Sequence, residues 1–127
     1  MKILVDTDVL IDYSKGHSRH LETLLQKQKE GSIELFINPV IIAEFLTDHS
    51  LQTKGREEKA MEFLNLFSVV DLSKKIGVTA GRLLRTKKSV FLGDALIGAT
   101  CLIHDYTLAT GNTKHFTGIP NLHLRAI

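Results

Sequence analysis

Four polar residues stand inside apolar stretches, where side chains of their type are costly. Asp6 follows Ile-Leu-Val. Glu44 lies within Val-Ile-Ile-Ala-Glu-Phe-Leu over 40–46. Asp94 lies within Phe-Leu-Gly-Asp-Ala-Leu-Ile over 91–97, and Asn112 follows Thr-Leu-Ala-Thr-Gly over 107–111. A carboxylate in such surroundings must be hydrogen-bonded, paired or bound to a metal. Taken singly, each has a plain structural explanation. Asp6 and Asp94 can cap helices, Glu44 can pair with a basic residue, and Asn112 can hold a turn with Gly111. Together they point further. Three carboxylates with no sequence-local cation repel one another if they converge. A divalent cation relieves that repulsion. An all-oxygen donor set suits the hard ions Mg²⁺ or Mn²⁺ rather than zinc. Such ions activate water and neutralise charge on phosphate oxygens. The residue types therefore lean toward metal-dependent phosphodiester chemistry.

The elements that must position these residues alternate between strand and helix. The apolar run 2–5 ends at Asp6 and reads as a fully buried first strand. Helices are expected over 8–14 and 17–30, the second stopped at Gly31. Residues 33–37 are β-branched and alternating, a second strand. Asn38-Pro39 then starts a helix over 40–51, with Asn38 as N-cap and Pro39 in the first helical position. A helix over 57–67, a short strand over 68–72 and a helix over 74–85 follow. Residues 94–104 are apolar on all sides, as a buried helix is. Residues 108–110 make a fourth strand and 122–124 a fifth. This order predicts one α/β domain over 1–127 with a mainly parallel sheet. Sites in such sheets lie at the carboxyl ends of the strands. Asp6 ends the first strand, and Asn112 follows the fourth by two residues.

The 127 residues contain one cysteine, no tryptophan and two prolines. That length buries a core without disulfides or a structural metal. Cys101 has no partner for an internal disulfide, which excludes a disulfide scaffold and predicts a reduced, buried thiol. No apolar run approaches the roughly 20 residues that span a bilayer. Asp6, Asp8 and Asp12 interrupt the first apolar stretch, unlike a signal peptide. A soluble, cytoplasmic protein is expected. The net charge of +2 is unevenly placed: −3 over residues 1–63 and +5 over residues 64–127. An acidic site rimmed by basic residues would give this split, and so would solvated helix faces of different charge. The six histidines show no zinc spacing with cysteine.

Four segments in order carry a family resemblance. They are Val-Asp-Thr-Asp-Val-Leu-Ile-Asp over 5–12, Ala-Glu-Phe over 43–45, Gly-Asp-Ala-Leu-Ile-Gly-Ala-Thr over 93–100, and Leu-Ala-Thr-Gly-Asn-Thr-Lys-His-Phe over 108–116. Together they resemble a PIN domain, and within it the VapC-like toxin ribonucleases of type II toxin–antitoxin systems. The resemblance implies a three-layer α/β/α sandwich around a parallel sheet of four to five strands. It implies a Mg²⁺- or Mn²⁺-dependent endoribonuclease. Asp6, Glu44 and Asp94 match the family's metal-binding carboxylates. Asn112 matches a fourth site position that is often Asp in the wider family. Thr110 matches a small hydroxyl residue that contacts the site carboxylates or a metal-bound water, and Thr7 a common Thr or Ser after the first Asp. The sequence departs from the pattern at Asn112, which lacks a charge, and at Gly111, where similar sequences often carry Arg.

The resemblance also implies partners: RNA as substrate, a cognate antitoxin laid across the acidic site, and a second copy in a homodimer. Arg85, Lys87, Lys88 and Lys114 are the residues expected to hold RNA phosphates, with Lys74, Lys75 and Arg82 further basic candidates. Phe36, Phe45, Leu46 and Phe63 are interface candidates, though each is equally a core residue. Two rival readings remain open on the residues. Asp6 and Asp8 after an apolar strand also resemble the nucleophile and acid/base of haloacid-dehalogenase-like phosphatases, but Glu44 is then unexplained and no late second Asp follows Gly93-Asp94. A non-catalytic PIN-like domain that binds RNA or protein is the other, with Asn112 its best support.

Overall fold

The computed structural model describes residues 1–87 and 89–127. Strand β1 (Lys2–Val5) runs through the middle of a five-stranded sheet. Its Ile3, Leu4 and Val5 are all fully buried, because both faces and both edges of a central parallel strand are covered. The strand order is β3-β2-β1-β4-β5 and every pairing is parallel. Here β2 is Glu34–Ile37, β3 Ser68–Val69, β4 Thr107–Thr110 and β5 Leu124–Ala126. The chain steps outward from β1 to β2 and β3, then returns past β1 to β4 and β5. Right-handed crossovers in opposite directions place their helices on opposite faces. Helices α1 (Thr7–Ser14), α2 (His20–Lys29), α3 (Pro39–Phe45) and α4 (Arg56–Leu64) belong to the outward steps. Helices α5 (Lys74–Thr86) and α6 (Leu92–His104) belong to the return. The result is the expected three-layer α/β/α sandwich.

Several boundaries differ from expectation for local reasons. The helix expected over 40–51 ends at Phe45. The Thr47 hydroxyl donates to the Glu44 carbonyl at 2.7 Å, and Asp48 accepts from the Ser50 N–H at 2.9 Å to start a separate 3-10 turn, His49–Gln52. Such side chains offer the backbone an alternative to helix. Glu44 is therefore in the last turn of a short helix, not the middle of a long one. Helix α6 starts at Leu92, so Asp94 sits in its first turn and does not cap it. The fifth strand lies at Leu124–Ala126, two residues later than the sequence pattern places it.

The Asn38-Pro39 start is as read from sequence. Asn38 accepts from the Ile41 N–H at 3.0 Å. Its amide also donates to the Thr100 hydroxyl at 3.0 Å, and Thr100 donates to the Leu96 carbonyl at 2.7 Å. Asn38 and Thr100 are both fully buried. This polar bridge ties the start of α3 to α6, the two helices that carry Glu44 and Asp94. Asn38→Ala leaves a buried N–H and a buried hydroxyl short of partners. It should cost about 2–3 kcal/mol, read from urea unfolding curves. Two of the four aromatic or aliphatic interface candidates, Phe36 and Phe45, are core residues, at 8% and 9% exposure.

Candidate active site

Because β1 and β4 are parallel neighbours, their carboxyl ends lie side by side at the point where the strand order reverses. That is where an open α/β sheet leaves a crevice. The Asp6 N–H donates to the Ala109 carbonyl at 2.9 Å, extending the ladder to the first site residue. The Asp6 carboxylate is almost fully buried. It accepts from the Thr7 N–H at 2.8 Å on one oxygen and from the Thr110 hydroxyl at 2.8 Å on the other. Thr110 is fully buried at the end of β4 and in turn accepts from the Asn112 N–H at 2.9 Å. The Thr7 hydroxyl donates to Glu44. Thr7 thus holds Asp6 through its backbone and Glu44 through its side chain. The residue expected to contact the site carboxylates, Thr110, does so through Asp6.

Asp94 reaches the same place from the first turn of α6. Its neighbour Gly93 permits the approach of α3, since a Cβ there would stand 3.1 Å from a Glu44 carboxylate oxygen. Asp6, Glu44, Asp94 and Asn112 all line one cleft of about 500 Å³. The four residues singled out from the sequence are brought together. Asp8, Phe91 and His115 line it as well. His115 Nδ1 stands 3.5 Å from an Asp94 carboxylate oxygen. In the sequence His115 lies beside Phe116 in the family-like segment 108–116, a structural residue or one near the substrate, and nothing local marks it as a partner of Asp94.

Burial pushes the Asp6 carboxyl up to about 7, against hydrogen bonds from Thr110 and Thr7, and the nearby Asp8 adds to the rise. Burial also raises Asp94. His115 opposes that rise and Glu44 adds to it. Crowded, dry carboxylates of this kind are short of positive charge. The donor set is all oxygen, as a hard divalent cation prefers. Among the described residues, no group of three or more His, Cys, Asp or Glu side chains is placed so that it could hold a metal ion by itself. A Mg²⁺-type ion does not need one, because it keeps several waters and is held by one or two carboxylates plus substrate phosphates. One more feature suits a cation: among the described residues, Asp8 Oδ1 is buried and accepts from no N–H or hydroxyl.

Among the described residues, the basic candidates do not line the cleft. Lys74, Lys75 and Arg82 line a different surface hollow with Val78 and Ile103. Arg85 and Lys87 lie at the end of α5 and do not line the cleft. Lys114 is exposed in the 3-10 turn Thr113–His115, next to the cleft residue His115. Lys88 lies outside the described residues. Cys101 is buried and free, and burial pushes its thiol well up, so it is the inert hydrophobe expected. Among the described residues, no helix is long and apolar enough to cross a membrane.

A larger groove of about 710 Å³ opens beside the cleft and shares Glu44, Ile11 and Thr47 with it. Tyr13, Phe45, Leu51 and Phe63 give it an apolar floor. Tyr13 and Phe63 stack there with ring centroids 5.6 Å apart.

Known proteins are similar to this chain in sequence and in fold. Ribonuclease VapC1 of Methanocaldococcus jannaschii is 32% identical over 98% of this chain and 85% of its own length. Ribonuclease VapC10 of Mycobacterium tuberculosis is 35% identical over 90% of this chain and 85% of its own length. Among solved structures, a toxin–antitoxin complex from Klebsiella pneumoniae superposes with a TM-score of 0.74 at 28% identity, covering 98% of this chain and 99% of that one. VapBC2 from Rickettsia felis bound to promoter DNA has the same fold, with a TM-score of 0.82 at 24% identity over 99% of this chain and 98% of that one. The haloacid-dehalogenase reading falls here, since it accounts for neither Glu44 nor these relatives. The PIN domain family model matches residues 3–120, and the chain belongs to the PIN domain family.

Proposed function

We propose that this chain is a divalent-metal-dependent endoribonuclease, the toxin of a type II toxin–antitoxin pair. The observation that carries the reading is the convergence of Asp6, Glu44, Asp94 and Asn112 in one cleft at the β1/β4 switch point. The relatives that share the fold are named as ribonucleases, which supports it.

Asp6, Glu44 and Asp94 are the residues to hold Mg²⁺ or Mn²⁺. Bound there, the ion supplies an activated water for attack on an RNA phosphodiester and neutralises charge on the phosphate. The chain's own part is positioning. Thr110 and the Thr7 N–H fix both Asp6 oxygens, so that carboxylate cannot rotate away. The Thr7 hydroxyl sets Glu44. Helix α6 brings Asp94 in on a rigid turn, and Asn112 adds a neutral amide. No side chain needs to act as nucleophile. Lys114, Arg85 and Lys87 are the residues to hold the RNA backbone beyond the cleft, with Lys88 a further candidate on its charge alone.

The apolar groove next to the cleft suits the antitoxin. A partner segment with apolar anchors can seat on Tyr13, Phe45 and Phe63 and then place an Arg or Lys against Glu44 and its neighbours. That cation would take the place of the metal's charge. The solved toxin–antitoxin complex of similar fold supports such a partner. The reading includes a homodimer. The exposed apolar residues Phe91 and Leu92, at 76% and 62% exposure, offer surface for it at the start of α6.

The test is metal removal. Purified protein incubated with RNA and Mn²⁺ or Mg²⁺ should cut internally, stop in EDTA, and resume when the ion is restored. Undiminished cutting in EDTA would sink the reading.

A further inference from the structure

Asp8 is a charged residue that the mechanism above does not use, yet it lines the cleft beside Asp6 and Asn112. It sits in the first turn of α1, where a negative charge is ordinarily favourable. That explains the charge but not its placement. One carboxylate oxygen accepts from the Gly111 N–H at 2.9 Å. The other is buried and accepts from no N–H or hydroxyl among the described residues; the Asp6 carboxyl is its neighbour and can donate to Asp8 only while it keeps its proton, so with both ionised that oxygen is left for a cation. An unpaired buried carboxylate oxygen costs free energy unless something binds it. The contact with Gly111 is also made possible by a missing side chain. A Cβ at position 111 would stand 2.6 Å from the Asp8 oxygen, closer than any packing allows. Glycine thus lets the Asp8 carboxylate lie against the loop that presents Asn112. Asn112 itself brings an amide to the cleft and no charge.

We propose that Asp8 is the fourth carboxylate of the cation site, supplying from α1 the charge that Asn112 does not supply from the β4 loop, with Gly111 making room for it. The proposal rests on the metal-dependent reading above and adds a residue to it. Its substance is electrostatic exchange: the charge can enter the cleft from residue 8 or from residue 112. A capping role for Asp8 would not involve residue 112 at all.

The experiment measures Mn²⁺ binding to the purified chain without RNA, by calorimetry and by loss of the free-ion electron-spin signal. Asp8→Asn is expected to weaken Mn²⁺ binding by about tenfold or more. Adding Asn112→Asp to that variant should return affinity to within about threefold of the parent. Gly111→Ala should weaken binding by displacing the Asp8 oxygen, and should add little in the Asp8→Asn background, because both act on one group. Circular dichroism melts report folding of each variant, and Gly111→Ala keeps the test alive if Asp8→Asn unfolds. Parental affinity in folded Asp8→Asn overturns the proposal, as does failure of Asn112→Asp to recover any binding. Asp94→Asn runs in parallel. If Asp94→Asn loses Mn²⁺ and Asp8→Asn does not, the Asp8 proposal alone fails. If the parent binds no Mn²⁺, the metal reading fails with it.

Discussion

Asp94→Asn should lower RNA cleavage by at least about a hundredfold while the protein melts within a few degrees of the parent. The loss follows from charge. Asp94 reaches the cleft from the first turn of α6, is partly buried, and is already raised by burial and by Glu44. An amide of the same shape keeps the packing but cannot hold a cation or its water by charge, and lost electrostatic stabilisation of this kind is worth about 10²–10³ in rate. The stability change stays small because Asp94 makes no cap hydrogen bond that Asn would lose. Among the described residues, the ion pair it gives up is the 3.5 Å approach of the exposed His115, and such half-exposed pairs contribute little. End-mapped cleavage of total RNA, with wild type and variant at equal concentration, reads the outcome. Parental rates in the variant would show that cutting does not depend on the Asp94 carboxylate and would overturn its place in the site.

Asp6→Asn should do something less common: remove cleavage and stabilise the metal-free protein at neutral pH. The Asp6 carboxyl is raised from 3.8 to about 7, chiefly by burial. The folded state therefore holds a proton that the unfolded state releases. Stability from that proton is fully present below about 3.8 and is lost as pH rises through about 7. Asp94 is raised too and contributes with the same sign. The metal-free wild type should melt at falling temperature between about pH 5 and pH 8, and added Mn²⁺ should restore the loss at pH 8. Asp48, whose carboxyl is lowered by the Ser50 N–H, acts with opposite sign and only in more acid solution. In Asp6→Asn the slope between pH 5 and pH 8 should flatten, with a gain at pH 8 of on the order of 1–2 kcal/mol, a few degrees of melting temperature. A wild-type melting temperature that is flat or rises over that range, with no gain in the variant, contradicts it.

Both effects come from residues that are legible in the chain because they break an apolar pattern. Asp6, Glu44 and Asp94 stand out since a charge within an apolar run must be accounted for, although of the three only Asp6 is buried in the fold. The same local physics marked β1 as a fully buried strand and set the start of α3 by the Asn38 cap. Where competing local signals were close in energy, the reading slipped. The helix after Asn38 is shorter than its apolar residues suggest, because Thr47 and Asp48 draw the backbone into a new turn. The start of α6 lies two residues before Asp94, since nothing in Phe91 or Leu92 announces a cap. The charge split between the two halves of the chain did not map onto the cleft: Asp94 lies in the basic half with Asn112. Lys74, Lys75 and Arg82 follow the face of α5 and line a hollow of their own.

The sequence by itself determined the element types, the buried strand that ends at Asp6, and the identity of the three carboxylates and one amide that need explanation. Those are properties of burial and capping, which act between residues a few positions apart. Only the tertiary structure decided that they meet. Thr110 reaches Asp6 across 104 residues of chain, and it does so because the sheet runs β3-β2-β1-β4-β5 and sets β4 against β1. Strand order arises from long-range pairing and the handedness of crossovers, which no local pattern encodes. The same long-range packing aims Asp8 at Gly111 and sets His115 beside Asp94. Asp8 stood out in the sequence only through the rejected phosphatase resemblance and His115 only as part of the segment 108–116, and their part in the cleft is a consequence of which segments the fold makes neighbours.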